Sequence, residues 1–234
     1  MVRRKTHIIL LQLITARRLI FAALLCVLIQ ALPARSGWDF DKLVKMAQQR
    51  YGANASKLMS ETQQLLASSK TLAEPDKLKR VNEFFNRRFQ FQDDMTIWQQ
   101  ADYWASPLEM VGKGAGDCED FAIIKYFALK ELGVAAEKLR MSYVKAKIGG
   151  ASSTVTQAHM VLTYYPTPDA EPLILDNLIT DIRPASRRAD LVPVFSFNSE
   201  GIFAGSGNQP SGSIDRLSRW KDVLLRMQAD GIEF

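Results

Sequence analysis

The spacing of apolar residues changes from a helical to a strand-like period near Gly133, and that change constrains the fold of this chain more than any other feature. In the predicted helices before Gly133 the apolar positions recur about every 3.6 residues, as Leu78, Val81 and Phe85 do. Beyond that point short β-rich runs alternate with turn signals; they cover 140–146, Ala158–Tyr165 and Leu173–Leu178. Helices followed by strands are typical of an α+β fold, and we predict that fold class here.

The helical part has recognisable ends. Pro75 lies in the first turn of one predicted helix, and Gly133 stops another, as proline and glycine commonly do at these positions. We predict helices over Trp38–Gln64 with a break near Gly52, from Glu74 onward, from Cys118 to Gly133, and over Ile214–Gln228. Residues 90–117 are predicted to form a long connection, and residues 204–213 a flexible loop rich in Gly, Ser, Asn and Pro.

Residues 1–34 have the pattern of a secretion signal. Basic residues come first, Leu19–Leu32 contains only one polar residue, and small Ala34 ends the segment. The apolar run is shorter than the ~20 residues that span a bilayer, so we expect cleavage near Ala34 and export to the periplasm. An uncleaved signal anchor is the alternative.

The basic charge of the chain comes from this segment. Of the 30 Lys and Arg residues, five lie within residues 1–34, whereas none of the 25 Asp and Glu residues does. The remaining chain is therefore balanced, and the net charge of +5 does not indicate a nucleic-acid partner.

Beyond that segment the chain retains one cysteine, Cys118, and one histidine, His159, because Cys26 and His7 both lie within it. Cys118 precedes a strong helical pattern, and the dipole of a helix N-terminus lowers a thiol pKa. An imidazolium stabilises a thiolate further, so any thiol–imidazole chemistry must use this pair. We predict that Cys118 is a nucleophile and His159 its general base.

A predicted hairpin supplies the third group, Asp176. A turn centred on Thr167 and Pro168 would place Asp176 directly opposite His159, whereas a loop over Pro166–Glu171 would place it one diagonal step away on the same face. Either register lets the carboxylate orient the imidazole. For the oxyanion we predict two donors, the Cys118 backbone N–H and one from the region of Trp104.

Three acids, Asp117, Glu119 and Asp120, flank the thiol and oppose its ionisation. In one interpretation they are a solvated first turn, where acids are favoured. In the other they hold a cation, and their hard oxygen donors suit Ca²⁺, which would also cancel the repulsion.

Four sequence blocks resemble the bacterial transglutaminase-like cysteine proteinases. They are Tyr103-Trp104-Ala105-Ser106-Pro107-Leu108-Glu109, Gly116-Asp117-Cys118-Glu119-Asp120-Phe121-Ala122, Ala158-His159-Met160-Val161-Leu162 and Leu175-Asp176-Asn177. The resemblance implies a papain/transglutaminase-like fold, with the cysteine at the start of a central helix packed on an antiparallel sheet. The resemblance covers roughly residues 38–230 and agrees with the signal peptide predicted over 1–34. We therefore predict a protease domain over 35–234, helical over 35–90 and with its catalytic core over 91–234.

The same resemblance implies a calcium-dependent periplasmic endopeptidase with a Cys118–His159–Asp176 triad. Members of this kind cut a large surface adhesin near its N-terminus, at a paired-alanine site, and so control biofilm release. The acids beside the nucleophile would bind calcium through Asp117 and Glu119, with Asp120 a further candidate. An inner-membrane cyclic-di-GMP receptor of the LapD type would hold the protease from its substrate.

Two other functions fit the same residues. An acyl-transferring, transglutaminase-like enzyme shares the thioester step with a protease, and a non-catalytic binding module could keep the fold. A zinc enzyme is disfavoured, because one Cys and one His rarely suffice for a zinc site.

Overall fold

The computed structural model describes residues 37–205, 207 and 209–233. The predicted signal peptide over 1–34 lies outside the described residues, and the proposed domain boundary stays a prediction. Among the described helices, none combines the length and the apolar character that crossing a bilayer requires.

Three helices form the N-terminal part, α1 (Phe40–Tyr51), α2 (Ala53–Ser69) and α3 (Glu74–Arg88). The predicted break at Gly52 is confirmed: this glycine has a φ of 91°, a conformation that other residues rarely adopt. Helices α1 and α2 pack against each other there. The apolar stripes of the three helices are buried in the main core.

The long connection predicted over residues 90–117 is wrong in detail, since it contains regular structure. It holds β1 (Gln90–Phe91), α4 (Asp94–Trp98), α5 (Pro107–Lys113) and β2 (Ala115–Gly116). Helix α5 is short but well capped: Ser106 and Glu109 form a capping box, and Gly114 ends the helix in a left-handed conformation. Local hydrogen bonds of this kind stabilise a helix too short for a clear apolar period.

The central helix α6 (Cys118–Glu131) begins and ends where the sequence predicts. Asp117 caps it, accepting hydrogen bonds from the backbone N–H groups of Glu119 and Asp120. Almost the whole circumference of α6 is buried, so this helix is central to the described part of the chain.

Helix α6 packs on a seven-stranded antiparallel sheet of order β6-β5-β4-β3-β7-β8-β9. The strands are β3 (Leu139–Lys147), β4 (Thr156–Tyr164), β5 (Leu173–Leu175), β6 (Arg183–Pro184), β7 (Leu191–Phe197), β8 (Ile202–Ala204) and β9 (Pro210–Gly212). The predicted α+β class, with a central helix on an antiparallel sheet, is confirmed. Strand β7 was not predicted, because Pro193 lies inside it. The predicted strand to Leu178 ends three residues earlier, at Leu175.

The register of β4 and β5 decides between the two hairpins considered. Leu162 pairs with Leu175 and Tyr164 pairs with Leu173, which corresponds to the longer loop. Asp176 therefore lies a diagonal step from His159, just beyond the end of β5.

The C-terminal segment is also more regular than predicted. Part of the predicted loop over 204–213 pairs as β9. The predicted final helix divides into a 3₁₀ turn, Ile214–Arg216, and α7 (Ser218–Asp230). The side chain of Trp220 anchors α7, because it is buried against Phe127 of α6 with stacked rings 5.4 Å apart.

Candidate active site

Cys118 occupies the first position of α6, as the sequence predicts. Its Sγ atom donates a hydrogen bond to Oε2 of Glu119 at 2.7 Å. Burial, followed by the charge and hydrogen bond of Glu119, raises the pKa of the thiol far above its usual range, and the Met160 backbone N–H opposes this only partly. In this arrangement the thiol is neutral, so a thiolate requires that the acidic charge beside it be compensated.

His159 and Asp176 are in direct contact. Nε2 of His159 lies 2.9 Å from Oδ1 of Asp176, and both side chains are almost completely buried. A carboxylate accepts only from a protonated nitrogen, so this contact places the proton on Nε2 and leaves Nδ1 as the free acceptor. That tautomer suits a base that removes a proton with Nδ1.

The Asp176 carboxylate stays ionised although no solvent reaches it. Burial alone would raise its pKa, but the hydrogen bond and charge of His159, the Leu178 N–H and Arg188 lower the pKa to about 2. The carboxylate is therefore negative across the physiological pH range, which is the state that orients and stabilises an imidazolium.

The fold brings Cys118 against the strand that carries His159. Helix α6 packs on β4, and the Met160 N–H that faces the thiol belongs to the residue next to His159. The sequence order Cys, His, Asp thus converges on one region of the structure, where a helix start, a strand and a strand end meet.

A group of three carboxylates lies beside this region. Asp94, Asp117 and Asp120 each offer an oxygen within 4.8 Å of the others. Burial and mutual repulsion raise the pKa of Asp117 to about 9 and also raise the pKa values of Asp94 and Asp120. Carboxylates in such surroundings need a proton or a cation, and an all-oxygen set is what Ca²⁺ prefers.

The surroundings of the individual oxygen atoms in this carboxylate group also suit a cation. Oδ1 of Asp94 is buried and accepts no hydrogen bond from any residue that the structure describes. Asp94 was missed by the sequence analysis, because it lies 23 positions before Asp117 and nothing local marks it. Asp120 is 1% exposed and accepts a hydrogen bond from Ala105 N–H at 2.7 Å, so it is not part of a solvated helix start.

Glu119 is placed differently from the other acids. It belongs to a second group with Asp117 and Cys118, in which the thiol is one of the three donor atoms. The all-oxygen group is therefore the better candidate for calcium, and Glu119 adjoins it through Asp117.

Trp104 lines a cleft of about 450 Å³ together with Asp117 and Glu119. Its ring stacks on Phe197 at 5.7 Å, and its Nε1 is buried without a hydrogen-bond partner within the described residues. Tyr143 and Ala158 also line this cleft, so it passes beside both the start of α6 and the strand of His159.

Comparison with known families agrees with this geometry. Residues 47–189 match the bacterial transglutaminase-like cysteine proteinases, BTLCP. The chain belongs to this family.

Solved structures of Legionella pneumophila LapG are similar to this proteinase over most of its length. One is 42% identical, with 80% of this chain and 97% of that chain covered and a TM-score of 0.68. EGTA-treated LapG has a TM-score of 0.70 at the same identity and coverage. Calcium-bound LapG is 41% identical, with 80% and 98% covered and a TM-score of 0.68. No match was found among curated proteins. The fold is therefore transglutaminase-like.

This family member also buries a lysine that the sequence analysis did not single out. Lys125 lies on α6, is 1% exposed, and places its Nζ 5.6 Å from the centre of the Phe121 ring. Burial lowers its pKa to about 7, and the charge of Asp176 opposes this.

We expect Lys125→Met to stabilise the protein. An unfolded lysine keeps its ordinary pKa of 10.5, so between pH 7 and that value the unfolded state binds more protons, and the stability of the native protein rises with pH. Removing the lysine should increase the free energy of unfolding near neutral pH by on the order of 2 kcal/mol. It should also make that free energy depend less on pH between pH 7 and 10.5. Denaturant unfolding at several pH values measures both effects. The matched control is Lys79→Met, at an exposed position of α3, which should leave the free energy of unfolding nearly unchanged. Identical unfolding curves for the two variants at every pH would contradict the expectation.

Proposed function

We propose that this protein is a calcium-dependent periplasmic cysteine endopeptidase that uses Cys118, His159 and Asp176. The observation that carries the proposal is the buried His159–Asp176 hydrogen bond beside the start of α6, in a chain of this proteinase family. A helix-start thiol, an imidazole with Nδ1 free and an ionised orienting carboxylate are the three parts that peptide-bond cleavage by a thiol requires.

The reaction proceeds through a thioester. Nδ1 of His159 takes the Cys118 proton as the sulfur attacks the scissile carbonyl carbon, and the imidazolium then returns that proton to the leaving amine. Water next attacks the thioester carbonyl, giving its proton to Nδ1, and the thiol leaves with that proton restored. Asp176 stabilises the imidazolium in both halves without itself taking a proton.

Calcium would be held by Asp94, Asp117 and Asp120, with Glu119 adjoining them. When bound, the ion would supply positive charge that offsets the acids beside the thiol. The support for this is the buried, mutually repelling carboxylate group described above and the calcium-bound form of the similar LapG. Burial is the largest cause of the raised thiol pKa, and the bound ion would weaken the further increase that Glu119 and Asp117 produce.

Trp104 and the backbone N–H of Cys118 are the proposed oxyanion donors. The first N–H groups of a helix have no partner within the helix. Trp104 lines the cleft, and its buried Nε1 has no hydrogen-bond partner within the described residues. We expect Trp104→Phe to keep the stacking on Phe197 but to lower kcat by about 10²–10³-fold, with KM little changed, because only a transition-state donor is lost.

Trp98→Phe is the matched control for Trp104→Phe. Trp98 also has a buried Nε1 without a partner among the described residues, but its ring packs on Tyr103 instead of lining the cleft. Steady-state kinetics on both variants separates the two roles. Equal kcat values for the two variants would remove Trp104 from the oxyanion site.

For the substrate we propose a large surface adhesin, cut near its N-terminus at a paired-alanine site, so that cleavage controls biofilm release. The proposed regulator is an inner-membrane cyclic-di-GMP receptor of the LapD type. Residues 1–34 would direct export, and their removal would release the protease into the periplasm. The support is the resemblance of the motif blocks and the similarity to LapG.

The test is cleavage of a purified N-terminal adhesin fragment that contains paired alanines, with the same fragment carrying those alanines replaced as the control. Release of two defined peptides, blocked by the replacement, would support the proposal. Incorporation of a labelled amine into the fragment without cleavage would instead indicate acyl transfer. Neither product, together with an unreactive Cys118, would indicate a binding module.

A further inference from the structure

Arg188 lies on the side of Asp176 away from the imidazole. It follows the 3₁₀ turn Ala185–Arg187, and its side chain is only 2% exposed. Its Nη2 donates to Oδ2 of Asp176 at 2.7 Å, while Oδ1 of the same carboxylate accepts from His159 and from the Leu178 N–H. Both oxygens of Asp176 are therefore occupied, and the carboxylate cannot rotate without breaking a buried ion pair.

The charge of Arg188 is balanced separately. Asp190 accepts from Nε of Arg188 at 3.0 Å and from Nη2 at 2.9 Å, so one guanidinium bridges two carboxylates. Because Asp190 compensates the guanidinium, the negative charge of Asp176 is left available to an imidazolium at His159. An arginine alone among cationic side chains has the rigid fork that holds two acids in this way.

We propose that Arg188 is a positioning residue, which fixes the Asp176 carboxylate so that Oδ1 is presented to His159. Asp190 serves as the counter-ion of Arg188. This inference rests on the proposed function, since it gives Arg188 a task in the Cys118–His159–Asp176 reaction. Other charges that face Asp176 are Lys125 on α6 and His159 itself, and neither contacts Oδ2 in the way that Arg188 does.

The test uses the full chain with His7→Gln, so that His159 is the single imidazole of the protein. Nitrogen NMR of the imidazole then reports which ring nitrogen carries the proton, without any substrate. In Arg188→Gln we expect the His159 ring to become a mixture of the Nε2–H and Nδ1–H tautomers. We also expect kcat on the adhesin fragment to fall about 10–100-fold, the range for partners that orient a functional group. KM should stay essentially unchanged, since Arg188 lies outside the cleft.

Three further variants make the result decisive. Compared with Arg188→Gln, Arg188→Lys should have a higher kcat and a larger share of the Nε2–H tautomer, because lysine can hold one acid but not both. Asp190→Asn should keep the tautomer, since the bond to Asp176 remains. The matched control is Arg183→Gln, which removes an exposed arginine paired with Asp181 and should change nothing. If Arg188→Gln does not fold, the other two variants still test the proposal. It is supported if Arg188→Lys lowers kcat and the share of the Nε2–H tautomer while Asp190→Asn changes neither.

An unchanged tautomer and kcat in folded Arg188→Gln and Arg188→Lys would overturn the proposal. So would a loss of thermal stability alone, because a purely structural residue moves the melting temperature but not the ring proton. Failure of the proposed function is distinguishable: the unsubstituted protein would then not cleave the fragment, whereas the NMR comparison would still report the contact between Arg188 and Asp176.

Discussion

Cys118→Ala is expected to abolish peptide cleavage while leaving the fold intact. Loss of a nucleophile that acts together with its base costs roughly 10⁶-fold in kcat, which lies below detection in a fragment-release assay. The side chain is half-buried at the helix start, and alanine is a good helix former, so the melting temperature should change little. Gel analysis of the adhesin fragment and thermal unfolding measure the two effects.

Three further variants accompany Cys118→Ala, and the first of them is its control. Cys26→Ala removes the other cysteine of the chain and should keep full activity, and His159→Ala should match the loss in Cys118→Ala because the pair acts as a unit. Asp176→Ala should retain residual activity, because an orienting carboxylate contributes less than the pair it orients. Full cleavage by Cys118→Ala would refute the assignment of the nucleophile.

Removal of calcium is the other change with a large expected effect. Exhaustive chelation should abolish cleavage, since burial and the uncompensated acids around Cys118 then keep the thiol neutral. Added Ca²⁺ should restore cleavage better than Mg²⁺, which demands tighter octahedral geometry. If only the native state binds the ion, stability should rise by about 2.7 kcal/mol at a calcium concentration one hundred times Kd. Cleavage rates and melting curves, each with and without chelator, measure these changes.

Variants test which acids hold the ion. Asp94→Asn, Asp117→Asn and Glu119→Gln should each weaken calcium binding measured by calorimetry, with the largest losses expected for the first two because they belong to the all-oxygen group. Asp102→Asn is the matched control: this acid lines the same cleft but is exposed and paired with Arg219 at 2.8 Å. An unchanged cleavage rate after chelation would contradict the metal proposal, and a loss of binding in Asp102→Asn equal to that in Asp94→Asn would contradict the ligand assignment.

The sequence by itself determined the parts of this protein that depend on local patterns. The helical period, the break at Gly52 and the stop at Gly133 located α1, α2 and α6, because each rests on residues adjacent in the chain. The proposed nucleophile and base follow from elimination, since the segment beyond residue 34 contains one cysteine and one histidine. Asp176 was found because a hairpin relates residues by a countable loop, although the loop length left two registers open.

Only the tertiary structure decided the remainder, because the contacts join residues that the sequence separates. The β4–β5 pairing fixed the register, since packing of the sheet face selects one alignment. Asp94 joins Asp117 and Asp120 through packing of the 94–105 segment on the start of α6, and Arg188 reaches Asp176 through the turn after β6. Burial itself is a tertiary property: it makes Asp120 and Lys125 electrostatically unusual, and an acid or a lysine in the sequence alone carries no sign of it.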